Sequence, residues 1–199
     1  MQALERGAPD KPARAGSPRK QEYEYVRHGT LCLIANWDVV VGKIIAPSIC
    51  ETHKNIDFEG HIRRTVESDP EAKGWRFVVD NLNTHKSEAL ARFVAGLEGA
   101  TEEELGKTGK RGILLNMRTR EKYLSDPTHR VHFIYTPKHC SWLNQIEIWF
   151  SILSRKLLRR GNFSSKGDLE KQVRNFIEYF NHVFAKPFKW TYDGKPCSA

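Results

Sequence analysis

Two acidic residues stand in settings where a carboxylate is seldom placed without a partner. Glu147 lies within Tyr135-Thr136-Pro137-Lys138-His139-Cys140-Ser141-Trp142-Leu143-Asn144-Gln145-Ile146-Glu147-Ile148-Trp149-Phe150, among apolar and aromatic residues where a helix should begin. Asp80 closes the apolar run Phe77-Val78-Val79 and opens the polar turn Asn81-Leu82-Asn83-Thr84-His85-Lys86. A strand-end aspartate and a helix-borne glutamate are two parts of a metal-dependent phosphodiester-cleaving site. That chemistry needs charge compensation at the entering and leaving oxygens, and two divalent ions about 3.5–4 Å apart, held by a few hard carboxylate oxygens, supply it. Two like charges about 4 Å apart repel by roughly 4 kcal/mol at an effective dielectric near 20, so acids that converge call for a cation. No clustered His or Cys competes for zinc, which makes Mg²⁺ or Mn²⁺ the expected ion.

Each residue also has a plainer role open to it. Asp80 alone suits an Asx turn at a strand end. At about 100° per residue, Leu143, Ile146, Phe150, Leu153 and Leu157 form one apolar helix face, with Glu147 at its margin, where a partly exposed glutamate is equally at home. Asn81, Asn83, Thr84 and His85, with His139 and Asn144 near the glutamate, are candidates for positioning a phosphate or its water, and equally for turn and cap hydrogen bonds. Arg155, Lys156, Arg159 and Arg160 gather at the C-terminal end of the glutamate helix, where cations also complement the helix dipole. Lys107, Lys110, Arg111, Arg118, Arg120 and Lys122 have no dipole to account for them and are the first candidates for phosphate contact.

In this order, Asp-Asn-Leu-Asn-Thr-His-Lys and Pro-Lys-His-Cys-Ser-Trp-Leu-Asn-Gln-Ile-Glu-Ile-Trp-Phe resemble the second and third acidic motifs of DDE-superfamily endonucleases, the catalytic domain of mariner-like bacterial insertion-sequence transposases. The likeness extends to Arg27-His28-Gly29-Thr30 and to Lys186-Pro187-Phe188-Lys189-Trp190-Thr191-Tyr192. It implies an RNase H-like fold and metal-dependent cleavage and strand transfer in DNA transposition, with Asp80 and Glu147 as catalytic, metal-holding residues of a two-metal Mg²⁺ or Mn²⁺ site. The implied partners are double-stranded DNA, as transposon ends and target, and a second copy or a full-length transposase. The family's first aspartate sits on an opening strand upstream of a segment resembling Gln2-Ala3-Leu4-Glu5-Arg6, and has no counterpart here; neither Asp38, beside a hairpin turn, nor Asp10 replaces it. The expectation is therefore a truncated or partial catalytic domain, weak or inactive alone, the alternative being a non-catalytic DNA-binding or regulatory fragment. The Trp-Leu-Asn-Gln-Ile-Glu motif argues against an unrelated RNase H-like nuclease.

The elements that would position these residues fit one domain, since 199 residues at 39% hydrophobic content can supply a core. The net charge of +8 points toward polyanions. No apolar run reaches the roughly 18 residues of a bilayer span and no apolar signal core opens the chain, which implies no membrane and a cytoplasmic setting. Cys32, Cys50, Cys140 and Cys197 are dispersed and read as reduced thiols. Residues 1 to about 22 read as a flexible arm, and 23–199 as the endonuclease domain with a basic insertion, outside the core, at about 98–130. Hairpin strands are expected at Thr30–Ala35 and Val39–Ile45, buried strands at Trp75–Asp80 and Val131–Tyr135, and helices at Asn55–Ser68, Ser87–Leu97, around Glu147 to Leu158, and from a Ser165 cap. The order β-β-α-β-α-β-α-α gives an α/β fold, a mixed sheet flanked by helices, with the first strand expected to be missing.

Overall fold

Backbone pairing and turn signals divide the first fifty positions into strands. In the computed structural model, which describes residues 1–8, 11–18, 24–137, 140 and 143–189, β1 (Gln2–Arg6) pairs antiparallel with β2 (Tyr25–Thr30). β3 (Cys32–Asp38) and β4 (Lys43–Cys50) form a second antiparallel hairpin. Its turn is closed by Asp38, whose Oδ1 accepts from the Val40 amide at 2.8 Å and whose carbonyl accepts from the Gly42 amide at 2.7 Å. Gly42 is required there: its φ is +77°, and a Cβ would stand 1.9 Å from the Lys186 carbonyl oxygen. The pairing slips between Ile34 and Asn36, opposite Ala46 at φ +43°, which makes a β-bulge.

The remaining strands, β5 (Trp75–Val79) and β6 (Val131–Tyr135), run parallel in unbroken register from Trp75↔Val131 to Val79↔Tyr135. A parallel pair needs a crossover, and here it carries α2 (Glu88–Leu97), α3 (Glu102–Leu105) and α4 (Met117–Leu124). α1 (Asn55–Glu67) precedes β5, and α5 (Ile146–Leu153), widening into a π-helical turn at Ser154–Leu158, and α6 (Lys166–Val183) follow β6. Ser87 and Ser165 cap α2 and α6 by accepting from Leu90 and Asp168 amides. The six described strands thus form three two-stranded sheets. No helix among the described residues is long and apolar enough to cross a membrane.

Two cores result. Phe58 and Ile62 of α1, Phe77 and Val79 of β5, Leu90 and Val94 of α2 and Phe133 of β6 form one. Ala3 of β1, Ile44 of β4, Trp149 and Leu153 of α5 and Leu169, Val173 and Ile177 of α6 form the other. Strand β3 lies between them, with Ile34 packed on the first and Leu33, Ala35 and Trp37 on the second.

The start of the chain departs from the sequence-based expectation. Residues 2–6 are a strand, Ala3 is fully buried, and the Leu4 carbonyl accepts from the Phe163 amide at 2.9 Å. Backbone pairing to β2 and to the α6 approach orders a stretch too short and too charged to show periodicity, so four strands, not two, precede α1. The 98–130 segment likewise joins the core: Leu105 and Leu114 pack with Ala91 and Ala95 of α2, and Leu124 enters the first core. Capping boxes at Thr101 and Asn116 start its two short helices. Leu97, the last residue of α2, is 41% exposed. Cys32 and Cys50 face each other across the β3–β4 pair as free thiols.

His61 of α1 gives this packing a pH dependence. Its Nδ1 lies 2.8 Å from Ser48 Oγ of β4, and burial, assisted by nearby Arg64, depresses its pKa from 6.5 to about 4. The unfolded chain therefore binds a proton that the fold resists between those values. Stability from this source is complete above pH 6.5 and is lost as pH falls toward 4, by about 3 kcal/mol in all. Urea melts of the wild type and of His61→Gln between pH 7 and 4 should show that slope in the wild type and a shallower one in the variant.

Candidate active site

β5 ends in Val79, so Asp80 is the first residue free of the sheet, and the chain turns there. Asp80 Oδ1 accepts from the Leu82 amide at 3.2 Å and from His85 Nδ1 at 2.8 Å, and its carbonyl lies 3.1 Å from the same ring nitrogen. Both partners are acceptors, so Nδ1 carries the imidazole proton. Burial lowers the pKa of His85, with the backbone and carboxylate of Asp80 acting against it, and the Phe58 ring packs on the imidazole at 4.2 Å between centroids. The contact is a hydrogen bond from a neutral ring, and it leaves the charge on Asp80 in place. Oδ2 of Asp80 is engaged by no described residue.

The turn is fixed from below by a cation the sequence reading did not select. Lys86 is 6% exposed, its Nζ donates to Asn81 Oδ1 at 2.5 Å and to Glu121 Oε2 at 3.0 Å, and it lies 4.6 Å from the centre of the Tyr135 ring. Asn81 in turn donates through Nδ2 to the Thr136 carbonyl, tying the end of β5 to the end of β6. The Tyr135 hydroxyl donates to the His85 carbonyl at 2.8 Å, and burial, with Glu121 nearby, raises its pKa. Arg120 of α4 donates to the carbonyls of Lys86 at 2.8 Å and Leu114 at 3.2 Å. Asn81 is therefore a strut rather than an open ligand, and half-buried Arg120 is committed to backbone carbonyls. The signal for Lys86 was its place beside a strand-end acid, with Glu121 too distant in sequence to be seen as its partner.

Glu147 stands in the first turn of α5, exposed, with its amide bonded to the Asn144 carbonyl at 3.1 Å and its carboxylate engaged by no described residue. Asn144 Oδ1 accepts from the Ile146 amide at 3.3 Å, a helix-start role. The helix is anchored by Trp149, fully buried against Phe150, Phe176 and Phe180. The apolar face read from sequence omitted Trp149, and Leu143, assigned to that face, is 38% exposed. Asp80 and Glu147 both line a cleft of ≈ 1290 Å³, with Thr84, His85, Asn144 and Asp38 also on its wall. Asp38 is held in its hairpin turn by the Val40 amide. Asn83 is exposed in the 3₁₀ turn Asn83–Lys86 and does not line the cleft. His139 lies outside the described residues.

Two carboxylates with uncommitted oxygens opening on one cleft suit a hard divalent cation in donor type. Among the described residues, however, no three His, Cys, Asp or Glu side chains cluster to hold a metal, so the pair lacks a third donor. Lys107, Lys110, Arg111, Arg118 and Lys122 are exposed around α3 and α4, and Arg155, Lys156, Arg159 and Arg160 are exposed at the end of α5.

Comparison with curated proteins and with solved structures gives no match. The DDE superfamily endonuclease family model matches residues 4–170, which span β1 through the first turns of α6 and include both Asp80 and Glu147. With that match over most of its length, the chain belongs to the DDE superfamily endonuclease family.

Proposed function

We propose that this chain is a transposase catalytic domain of the mariner-like, bacterial insertion-sequence kind, RNase H-like in fold, acting in the cytoplasm on double-stranded DNA at transposon ends and targets. The observation that carries the reading is the opening of Asp80, at the end of β5, and Glu147, in the first turn of α5, onto one cleft. Asp80 Oδ2 and the Glu147 carboxylate would hold Mg²⁺ or Mn²⁺. The bound ions would supply charge compensation at the phosphodiester being cut. The chain's own residues do the rest. His85 holds the Asp80 carboxylate in orientation without neutralising it. Lys86 and Asn81 keep the turn at the mouth of the β5–β6 pair. The exposed lysines and arginines hold the DNA backbone.

A second reading is favoured by one observation. Because no third donor joins the two acids among the described residues, a DNA-binding or regulatory module of a transposase, competing with or joining an active copy, would use the same surface without cutting.

Two experiments test these readings, the first separating them and the second locating the DNA surface they share. The first titrates Mn²⁺ into the chain and into Asp80→Asn and Glu147→Gln, alongside metal-dependent nicking of duplex DNA. The catalytic reading expects weak Mn²⁺ binding lost in both variants and slow nicking, since one ion position is under-compensated, with a further drop of about 10²-fold or more in each variant. Nicking that survives both substitutions would remove Asp80 and Glu147 from the site. DNA binding with neither Mn²⁺ uptake nor nicking would establish the regulatory reading.

The second measures DNA affinity against salt. Binding should weaken with a log–log slope of about −0.9 per phosphate contacted. Changing Lys110, Arg111, Arg118 and Lys122 together to Gln should flatten that slope by up to about 3.6 if α4 and the segment before it carry the contact. Arg120→Gln should instead lower thermal stability, because its guanidinium holds the Lys86 and Leu114 carbonyls. A slope unchanged by the fourfold variant would move the contact elsewhere.

A further inference from the structure

The loop 51–54 joins β4 to α1, and its residues are all exposed. α1 holds this loop close to Asp80: Phe58, one turn into the helix, packs on the His85 ring, and His85 donates to Asp80 Oδ1. The loop is pinned on both sides of His53. Thr52 Oγ1 donates to Asp57 Oδ2 at 2.6 Å, and the Lys54 amide donates to the same oxygen at 2.7 Å. The backbone at His53 is therefore fixed, while its imidazole makes no hydrogen bond or ion pair with a described residue. Neither packing nor helix capping employs the ring.

Two clefts place His53 between the acids. It lines the ≈ 1290 Å³ cleft with Asp80, His85 and Glu147. It also lines a smaller cleft of ≈ 320 Å³ with Phe150 and Leu153 of α5, the helix that carries Glu147 in its first turn. Phe150 lies three residues from Glu147, hence on the same side of α5, and lines both clefts. Burial lowers the pKa of His85, and a positive charge on His53 lowers it further, so the two rings are within electrostatic reach. A phosphodiester at this end of the cleft is repelled by both carboxylates, and needs donors for its oxygens as well as cations. The other donors nearby are committed or distant. Lys86 is buried against Asn81 and Glu121, and His85 Nδ1 is bonded to Asp80. Lys73, Arg76 and Arg130 line the cleft at the opposite end of β5, about 13 Å or more from Asp80 along the strand. Lys54 lies on the cleft beside His53, with Asp57 close to its charge.

We propose that His53 is a substrate-binding residue of this site, its ring N–H donating to a phosphate oxygen of the DNA strand held beside Asp80 and Glu147. A neutral imidazole carries one N–H and needs no change of protonation to do so. The contact holds the strand in the absence of any metal ion, so it is separable from catalysis. It rests on the reading of the cleft as a phosphodiester site, and it adds the β4–α1 loop to the two elements, the end of β5 and the start of α5, that supply the acids.

The test measures binding of a short DNA duplex to the full chain in EDTA, by anisotropy and by the NMR resonances of isotope-labelled histidines. His53 is identified by its absence from the spectrum of His53→Gln. Its resonance should move along the same isotherm as the anisotropy, while that of buried His61 stays in place. His53→Ala should weaken binding about fivefold, the worth of one hydrogen bond, and His53→Gln, which keeps an N–H donor, should recover most of that loss. His182→Ala, exposed in the last turn of α6 and off the cleft, should leave affinity unchanged. Melting temperatures of these variants should stay within about 2 °C of the wild type, since both side chains are exposed. Without metal, Asp80→Asn should tighten binding several-fold by removing a like charge beside the phosphate, and the loss caused by His53→Ala should persist in that background. A His53 resonance that stays still while DNA binds, a His53→Ala affinity equal to the wild type, a glutamine no better than alanine, or an affinity unmoved by Asp80→Asn overturns the assignment and leaves DNA binding elsewhere on the chain standing. A wild type that binds no DNA overturns both.

Discussion

A buried ammonium is tolerated only when its donors are met, and Lys86 meets that demand by gathering parts of the chain that are far apart in sequence. Asn81 comes from the end of β5, Glu121 from α4 and the Tyr135 ring from the end of β6. Through Asn81 and the Thr136 carbonyl the ends of the two parallel strands are tied together, and through Arg120 the α4 helix is tied to the Lys86 backbone. The placement of Asp80 follows from this network, because the acid sits one residue before Asn81 and five before His85, both of which are held. Deleting the segment between α2 and β6 would remove Glu121, the acidic partner of Lys86, and Arg120, which holds the Lys86 carbonyl, as well as a stretch of exposed charge. The part of the chain that looked dispensable from its polarity is structural support for the acid.

The second constraint is the division into two cores. The first closes around the parallel pair β5–β6 and carries Asp80; the second closes around α5 and α6 and carries Glu147. The two acids are therefore positioned by different bodies of side chains, with β3 shared between them. α1 adds a bridge: Asn36 of β3 donates to Thr65 at 2.7 Å, and Ser48 of β4 meets His61 and Arg64. Titration of His61 acts at that bridge, where its Nδ1 meets Ser48 of the hairpin.

Much of this was legible in the sequence. The hairpin, α1, β5, α2, β6, the glutamate helix and α6 follow from periodicity, with the Ser165 cap read as such, while Ser87, read as the first helical residue, is the cap of α2. The parts that were not legible share a cause, which is that their stability comes from partners remote in sequence. Gln2–Arg6 is a strand because of β2 and Phe163, and no window of five residues with two charges shows that. Leu105, Leu114 and Leu124 are core residues because α2 and Tyr123 receive them, although the segment is basic on average. Trp149 anchors α5 through aromatic contacts with α6, off the stripe that 3.6-residue spacing picked out. At the site, the two acids stood out by their apolar context, whereas the Asn81 and Lys86 interactions needed the fold.

The electrostatics of the Asp80 turn leave its carboxylate without a counter-charge from the neighbouring side chains. A charged imidazole beside Asp80 would neutralise it and leave little attraction for a cation. Burial under Phe58 disfavours that charge on His85, so the ring contributes a hydrogen bond and a fixed direction but no counter-charge. Lys86, the nearest buried cation, is directed at Asn81 and Glu121 instead. The negative charge of Asp80 therefore remains available on the cleft side, through Oδ2, and Glu147 adds a second uncommitted carboxylate on the same wall.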